Sequence, residues 1–271
     1  MEIYRSSNQP ELISRRDLLS KGLKGAAAFG LGVAALGSLG DSQTIVDRAW
    51  ENFDRNALIY SPEATCVLTC QSTIGPCYYS TGLVRSDLRE SYTGLNTKLI
   101  FRVVNADTCL PIPGVSIDIW HTNAVGQYSA PISAFCNGSG TIGTANQTAR
   151  FCRGIQTTDA DGLATFTTLY PGWYSGRTVH IHATLRIGNT AMVTTQFFFA
   201  EKVSDYVFGN YTPYTGRGTR DTTNATDNVI GGANWATRVA PFLFTTNTMR
   251  DRSLICTKTI AIRTTPTTCN A

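Results

Sequence analysis

From about position 62 onward, short β-forming stretches alternate with turn residues, and the turns recur about every ten positions. Thr, Val, Ile and aromatic residues dominate these stretches, and Gly188-Asn189 is typical of the turns between them. Such spacing favours an all-β fold, a β-sandwich with a short N-terminal helix. We expect strands over 97–104, 115–120, 163–169, 178–187, 191–199 and 255–263. The long Gly/Thr/Asn-rich stretches 129–153 and 203–250 are expected to be loops packed on the sandwich.

The composition is that of a single folded domain with extra residues at its N-terminus. Of 271 residues, 42% are hydrophobic and only 15% are charged, which excludes intrinsic disorder. We predict a signal segment over 1–40, a helical linker over 41–61 and one β-sandwich domain over 62–271. The amphipathic stretch 41–58 is the helical part of that linker.

Paired arginines near the N-terminus predict export. Residues 14–24 read SRRDLLSKGLK, and a weakly apolar Gly/Ala-rich run follows to position 40. A polar leader, an arginine pair and such a run are typical of a twin-arginine signal. The alternative is an ordinary amphipathic helix with a basic end, but repeated glycines disfavour a packed helix. We therefore expect a periplasmic or extracellular protein.

Charge and hydropathy exclude two classes of partner. Beyond residue 40 the chain carries 18 Lys/Arg against 16 Asp/Glu, so no strongly basic surface for nucleic acid is expected. No window reaches 18 clean apolar residues, so no stable membrane anchor is expected either. The expected partner is a small molecule, and the sequence makes no prediction of the oligomeric state.

Eight cysteines in an exported chain predict disulfide bonds. Cys66-x-x-x-Cys70 could be half of a metal site, but the sequence offers no second half-site, so a disulfide role is favoured. We expect Cys136 to pair with Cys152, because the two enclose a polar loop of 15 residues whose closure is worth roughly 3 kcal/mol. The other six cysteines leave 15 pairings open.

Two of the three histidines stand as His180-Ile181-His182 within a β pattern. Side chains i and i+2 share one face of a strand, so the two imidazoles should point the same way and Ile181 the opposite way, into the core. Two adjacent imidazoles suit one metal ion. The alternative is a pair of histidines on an exposed face.

Further motifs surround this pair. The chain reads TIGPCY at 73–78, WHTNAVGQY at 120–128, RGIQTTD at 153–159, YPGWYSGR at 170–177 and TQFFF at 195–199. In this order, over roughly residues 62–200, they resemble the intradiol ring-cleavage dioxygenases, the family of protocatechuate and catechol dioxygenases. That family reads roughly W-x-x-N-x-x-G-x-Y, then P-G-x-Y, then R-x-x-H-I-H.

The resemblance implies a non-haem ferric enzyme. It assigns four ligands to Fe(3+): Tyr128, Tyr174, His180 and His182. It implies cleavage of a catechol-type ring by O2 between the two hydroxyl-bearing carbons, to a cis,cis-muconate-type diacid.

Three further residues receive roles from the same resemblance. Tyr174 is the ligand that substrate displaces and that accepts a proton. Arg177 stabilises negative charge on the ring, and Gln196 orients a ligand or the substrate. Trp120 and Asn123 are expected to shape and pack their turn, and His121 is off the pattern and is not expected to be a ligand.

The chain departs from the family in two places. Only five residues separate Tyr174 from His180, which predicts a shorter roof and a more open substrate pocket. The long helical dimerisation segment of catechol dioxygenases is also missing, with 41–58 at most a remnant.

Two alternative functions remain. One is a catalytically inactive β-sandwich module that binds metal or aromatic fragments. The other is a surface structural domain whose histidines are incidental.

Overall fold

Eight strands form two four-stranded sheets in the part of the chain that the structure describes. This computed structural model describes residues 66–130, 136, 148–249, 251–267 and 269. The strands are β1 Asn96–Asn105, β2 Ser116–Trp120, β3 Arg153–Thr157, β4 Leu163–Leu169, β5 His180–Ile187, β6 Thr190–Phe198, β7 Thr245–Thr248 and β8 Leu254–Ile262. One sheet has the order β4-β1-β8-β7 and the other β3-β2-β5-β6.

The six strands predicted from alternation are all present, with ends that differ by one or two residues. Their pairing is antiparallel except for β1 and β8, which run parallel. The prediction of a β-sandwich is therefore confirmed.

The stretch 203–250 is more regular than expected. It contains most of helix α1 (Glu201–Asn210), helix α2 (Trp235–Val239), two single 3-10 turns and strand β7. In α1 the buried residues are Ser204, Val207 and Phe208, which is the i, i+3, i+4 spacing of a helix with one inward face. The polar composition of the stretch conceals this short pattern, so the expectation of loops was wrong here.

The core lies between the sheets and is built from alternate residues of each strand. Ile117 and Ile119 of β2 and Ile181 and Ala183 of β5 belong to it, and all four are essentially inaccessible to solvent. The predicted direction of Ile181 is therefore confirmed. His180 and His182 point away from this core, to the outer face of the second sheet, where loops cover them.

The predicted Cys136–Cys152 disulfide is wrong. Cys136 pairs with Cys77, and the other two bonds are Cys66–Cys109 and Cys70–Cys269. Cys152 is a buried free thiol, as is Cys256. The expectation rested on loop length alone, whereas the fold holds Cys152 at the start of β3 beside Thr168 of β4.

The expected signal segment with its arginine pair, and the linker helix over 41–58, lie outside the described residues. Within the described part of the chain, no helix has both the length and the apolar character needed to cross a membrane.

His121 lies directly after β2, and its imidazole is fully buried. Its Nδ1 lies 2.8 Å from the carbonyl oxygen of Thr122, to which it donates, and its Nε2 lies 2.9 Å from Oγ1 of Thr168, from which it accepts. Burial lowers the pKa of this imidazole from 6.5 to about 4. The folded protein therefore keeps His121 uncharged at pH values where the unfolded chain is protonated.

This difference predicts acid sensitivity. Because the pKa is depressed by folding, the stability that depends on neutral His121 is present above pH 6.5 and is lost as the pH falls toward 4, a loss of roughly 3 kcal/mol. We expect the free energy of unfolding of His121→Gln to fall less than that of the wild type between pH 7 and pH 4, measured by urea denaturation. An equal fall in the free energy of unfolding of both proteins between pH 7 and pH 4 would contradict this account.

Candidate metal centre

His182 of β5 lies in a row of side chains that crosses the second sheet. His182 pairs with Trp120 on β2 and with Gln196 on β6, and Trp120 pairs in turn with Arg153 on β3. Directly paired residues share one face of a sheet, so all four point to the same side. The Trp120 ring stacks on His182, with centroids 4.8 Å apart and planes 10° apart. The register of three strand pairs thus places these groups together.

Tyr128 reaches this face from the turn that follows β2. The side-chain oxygen of Asn123 accepts hydrogen bonds from the backbone N–H groups of Val125 and Gln127, each at 3.0 Å, which is an Asx-type turn. Gly126 within the turn has φ +81°, a left-handed conformation that favours glycine. The expectation that Asn123 shapes the turn agrees with these contacts.

Tyr174 reaches the same point from the segment after β4, and two glycines permit the approach. A Cβ on Gly126 would lie 2.2 Å from the carbonyl oxygen of Trp173, and one on Gly172 would lie 2.4 Å from the backbone nitrogen of Gly126. Each glycine stands two residues before a tyrosine, Tyr128 or Tyr174. The glycines of both motifs therefore have one physical reason: only without side chains can the two backbones lie this close.

The four aromatic groups converge. The phenol oxygens of Tyr128 and Tyr174 lie 3.3 Å and 3.5 Å from Nε2 of His180. The His180 and His182 ring centroids are 4.8 Å apart, and those of Tyr128 and Tyr174 are 6.0 Å apart. The structure thus brings together all four residues that the sequence predicted as ligands. Tyr128 is fully buried, whereas Tyr174 is partly exposed.

Hydrogen bonds orient the imidazoles. Nδ1 of His180 lies 2.6 Å from the carbonyl oxygen of Thr178 and donates to it, so Nε2 presents its lone pair to the two phenol oxygens. The backbone of Thr73 interacts with the buried imidazole of His182 and raises its pKa, against the larger lowering effect of burial. Gly75, in the 73–78 segment, covers the edge of the His182 ring, where an added Cβ would lie 3.3 Å from Cε1.

Burial keeps all four groups uncharged while they hold no ion. It raises the pKa of Tyr128 well above its usual value of 10.0 and also raises the pKa of Tyr174. It lowers the pKa of His180 and of His182 well below 6.5. The imidazoles are therefore already in their ligating form, and an incoming cation would have to displace the two phenol protons.

The donor set fits a ferric ion. Two phenol oxygens, once deprotonated, are hard anionic donors, and two neutral imidazoles complete a four-donor site. Among the described residues no group of three or more His, Cys, Asp or Glu lies together, so a carboxylate-rich site is not an alternative there. The two phenol oxygens that converge on Nε2 of His180 are the observation that a bound cation would explain.

Arg177 and Gln196 lie beside the four donors and contact each other. Nη2 of Arg177 donates to Oε1 of Gln196, and Nε2 of Gln196 donates to the carbonyl oxygen of Thr73 at 2.8 Å. Arg177 also lowers the pKa of Tyr174, against the larger raising effect of burial. Both residues therefore stand where the sequence predicted them, at the edge of the candidate site.

Asp227 belongs to this group and was missed by the sequence analysis. Its carboxylate accepts from Nε of Arg177 at 3.1 Å, and its side chain is fully shielded from solvent. It comes from the stretch 203–250, where no motif pointed to chemistry. Only the sequence NATDN, typical of a turn, offered a signal that this stretch folds back.

Arg153 is a second buried cation near the donors. Its guanidinium carbon lies 5.8 Å from the centre of the Tyr128 ring, and Nη2 donates to the carbonyl oxygens of Cys77 and Ser129, each at 2.9 Å. Burial lowers its pKa to about 10, so it remains charged at neutral pH. Positive charge behind the Tyr128 ring favours the deprotonated phenol there.

The comparisons with known proteins concern the fold of the chain. No protein-family model matches the chain, and a search of curated protein sequences finds no match. Among solved structures, an intradiol ring-cleavage dioxygenase from Tetranychus urticae is 26% identical with a TM-score of 0.62, covering 73% of this chain and 95% of that chain. A second dioxygenase structure is 27% identical, with the same TM-score and coverage.

A bacterial structure shares the fold. The dioxygenase domain of a dioxygenase and carbohydrate-binding protein fusion from Streptomyces sp. SirexAA-E is 23% identical with a TM-score of 0.52, covering 73% of this chain and 99% of that chain. Similar fold, near-complete coverage of the relatives and the motifs in matching order lead to one conclusion: this is an enzyme similar to the intradiol ring-cleavage dioxygenases.

Proposed function

We propose that this protein is an exported, non-haem ferric dioxygenase that cleaves catechol-type rings between the two hydroxyl-bearing carbons. The observation that carries the proposal is the convergence of two phenol oxygens on Nε2 of His180, at 3.3 Å and 3.5 Å. Tyr128, Tyr174, His180 and His182 are the proposed ligands of Fe(3+). The proposed products are cis,cis-muconate-type diacids.

The reaction needs iron for its difficult step. When bound, ferric iron would take both catecholate oxygens and draw electron density from the ring, which makes the ring open to attack by O2. The residues of the chain then have separate tasks: holding the ion, moving protons and stabilising charge on the substrate.

Tyr174 is proposed as the base within the site. It is the more exposed of the two tyrosines, and it lies in the tight turn from Tyr174 to Arg177, where the backbone N–H of Arg177 donates to the carbonyl oxygen of Tyr174 at 2.8 Å. An entering catechol can reach Tyr174 more easily than the buried Tyr128. The phenol oxygen of Tyr174 would receive a substrate proton as the substrate takes its place.

Arg177 is proposed to stabilise negative charge as it develops on the ring carbon. It is a cation at the edge of the four donors, tied to Gln196 on one side. Gln196 would hold Arg177 and, through it, the substrate ring in position. Neither side chain needs to exchange a proton for this role.

The substrate class is proposed from the short turn between Tyr174 and His180. Ser175 at its tip is exposed, and Arg177 is the only cation in the 175–179 segment. A dedicated clamp for a ring carboxylate would require a further cation there. We therefore propose activity on unsubstituted or bulky catechols with weak discrimination. An inactive module that binds metal or aromatics is the alternative.

We also propose a domain order of signal (1–40), helical linker (41–61) and dioxygenase domain (62–271), with export by the twin-arginine route. Three disulfides in the described structure support a compartment outside the cytoplasm.

Replacing Arg15 and Arg16 together by lysine tests this route. Because the pathway reads the arginine pair rather than its charge, we expect the precursor to accumulate in the cytoplasm of a bacterial host that has the pathway. Cell fractionation and immunoblotting measure this. Normal export of the double variant would point to a different route.

The ligand assignment predicts different effects for different donors. Tyr128→Phe and His182→Ala each remove a direct donor, so iron binding should weaken by more than the roughly 10- to 100-fold that outer-shell changes cause. The red-brown tyrosinate-to-iron absorption should be lost as iron binding weakens. Tyr174→Phe should retain iron and slow substrate binding, because it loses the base. Iron content, visible spectra and stopped-flow binding measure these effects.

Tyr206→Phe is the matched control, since Tyr206 is an exposed tyrosine on α1. It should keep full colour and full iron. If Tyr128→Phe and His182→Ala did so too, the assignment of ligands would be wrong.

Turnover of catechol under ¹⁸O₂ tests the reaction itself. Cleavage between the hydroxyl-bearing carbons should give a muconate with label in its carboxylates, detected by mass spectrometry. A yellow semialdehyde product, or activity confined to protocatechuate, would overturn the proposal. A protein that binds iron and catechol without turnover would favour the inactive module.

A further inference from the structure

The turn between Tyr174 and His180 is short, and a distant segment braces it. Residues 222–228 form several hydrogen bonds with the turn. Gly176 donates its N–H to Oγ1 of Thr222 at 3.0 Å, Asn228 donates its N–H to the carbonyl oxygen of Gly176 at 3.1 Å, and Thr178 donates its hydroxyl to Asn224 at 3.0 Å. We call residues 222–228 the bracing segment. It lies beyond the stretch 62–200 that resembles the family.

Asp227 is the only charged residue of the bracing segment, and its carboxylate faces inward. Oδ1 accepts from the backbone N–H groups of Val229 and Ile230, at 2.8 Å and 3.0 Å. Oδ2 accepts from the N–H of Thr178 at 2.8 Å and from Nε of Arg177 at 3.1 Å. The backbone contacts fix the carboxylate, so it can in turn fix the guanidinium.

Arg177 is therefore held at two points. Nε is bound by Asp227 and Nη2 by Gln196, whose own amide is anchored on the carbonyl oxygen of Thr73. Two hydrogen bonds to a planar guanidinium determine both its position and its plane.

We propose that Asp227 is a positioning residue: its buried carboxylate holds Arg177 in the orientation that the ring-cleavage reaction requires. The bracing segment thereby supports the turn that carries Arg177. This inference rests on the proposed function for the role of Arg177, while the contact itself does not depend on it.

The test is Asp227→Asn in the iron-loaded protein with catechol as substrate. A guanidinium free to rotate should lower kcat by roughly 10- to 100-fold, since misplacement by about 1 Å has effects of this size. KM should change less than about threefold, because iron rather than Arg177 binds the catechol oxygens. Iron content and the visible absorption should stay at the wild-type level, which a general structural defect would not allow.

Asp221→Asn is the matched control. Asp221 is an exposed carboxylate just before the bracing segment and accepts from the hydroxyl of Thr222. It makes the same chemical change without touching Arg177, and it should leave kcat unchanged. An equal loss of kcat in both variants would overturn the inference.

A second measurement needs neither iron nor turnover. The Nε–H of Arg177 should give a ¹⁵N NMR signal protected from exchange in iron-free protein, identified by its loss in Arg177→Lys. Asp227→Asn should expose it to exchange. In the Arg177→Lys background, Asp227→Asn should lower kcat little further, because the two act as one unit.

The two proposals fail in distinguishable ways. Absence of catechol cleavage by the wild-type protein would overturn the proposed function, whereas an unprotected Arg177 Nε–H would overturn this inference. If Asp227→Asn does not fold, Asp227→Glu keeps the charge and displaces the oxygens by one methylene. Wild-type kcat in Asp227→Glu together with an unprotected wild-type signal would then exclude the positioning role.

Discussion

The register of β5 between β2 and β6 is the constraint on which the rest of the site depends. It sets His182 beside Trp120 on one side and Gln196 on the other. A slip of one residue would turn His180 and His182 into the core and Ile181 out to the loops. The core residues that fill the space between the sheets therefore also fix the direction of the histidines. Stability and the candidate chemistry are encoded in the same strand.

Burying the groups of the candidate site lowers the stability of the fold. Two phenols, two imidazoles and the cation Arg153 are withdrawn from water, and Nη1 of Arg153 has no partner in the described structure. Buried polar groups without partners destabilise a fold. A ferric ion bound as proposed would favour loss of the phenol protons, and the Tyr128 phenolate would then lie beside the Arg153 guanidinium. Metal binding would in that case be coupled to folding stability, since the ion would favour the folded state alone.

Much of the fold and of the candidate site could be predicted from the sequence, for physical reasons that differ from element to element. The six predicted strands follow from alternation, because one face of each strand packs in the core. The proposed ligand set follows from motif order, and the structure adds why Gly126 and Gly172 are in those motifs. Burial does not alternate along β3, β7 has four residues and α2 has five, so their periodic signal is weak.

Contacts between residues far apart in the sequence could not be predicted. Cys77 with Cys136 and Asp227 with Arg177 depend on where loops return, which local patterns do not contain. The wrong choice of Cys152 illustrates this, since a plausible loop length says nothing about which way a thiol points. Asp227 stands in a turn sequence like many others, and only the folded chain shows that its carboxylate reaches the site.

The parallel pairing of β1 with β8 has a consequence for biosynthesis. Strand β1 needs a partner from much later in the sequence, and the Cys70–Cys269 bond spans 199 residues. Contacts between distant parts of a chain form slowly, because loop closure must come first. The first sheet can close only after β8 has been synthesised. Until then the β8-facing edge of β1 and the unfinished core remain exposed to whatever binds nascent chains in the cell.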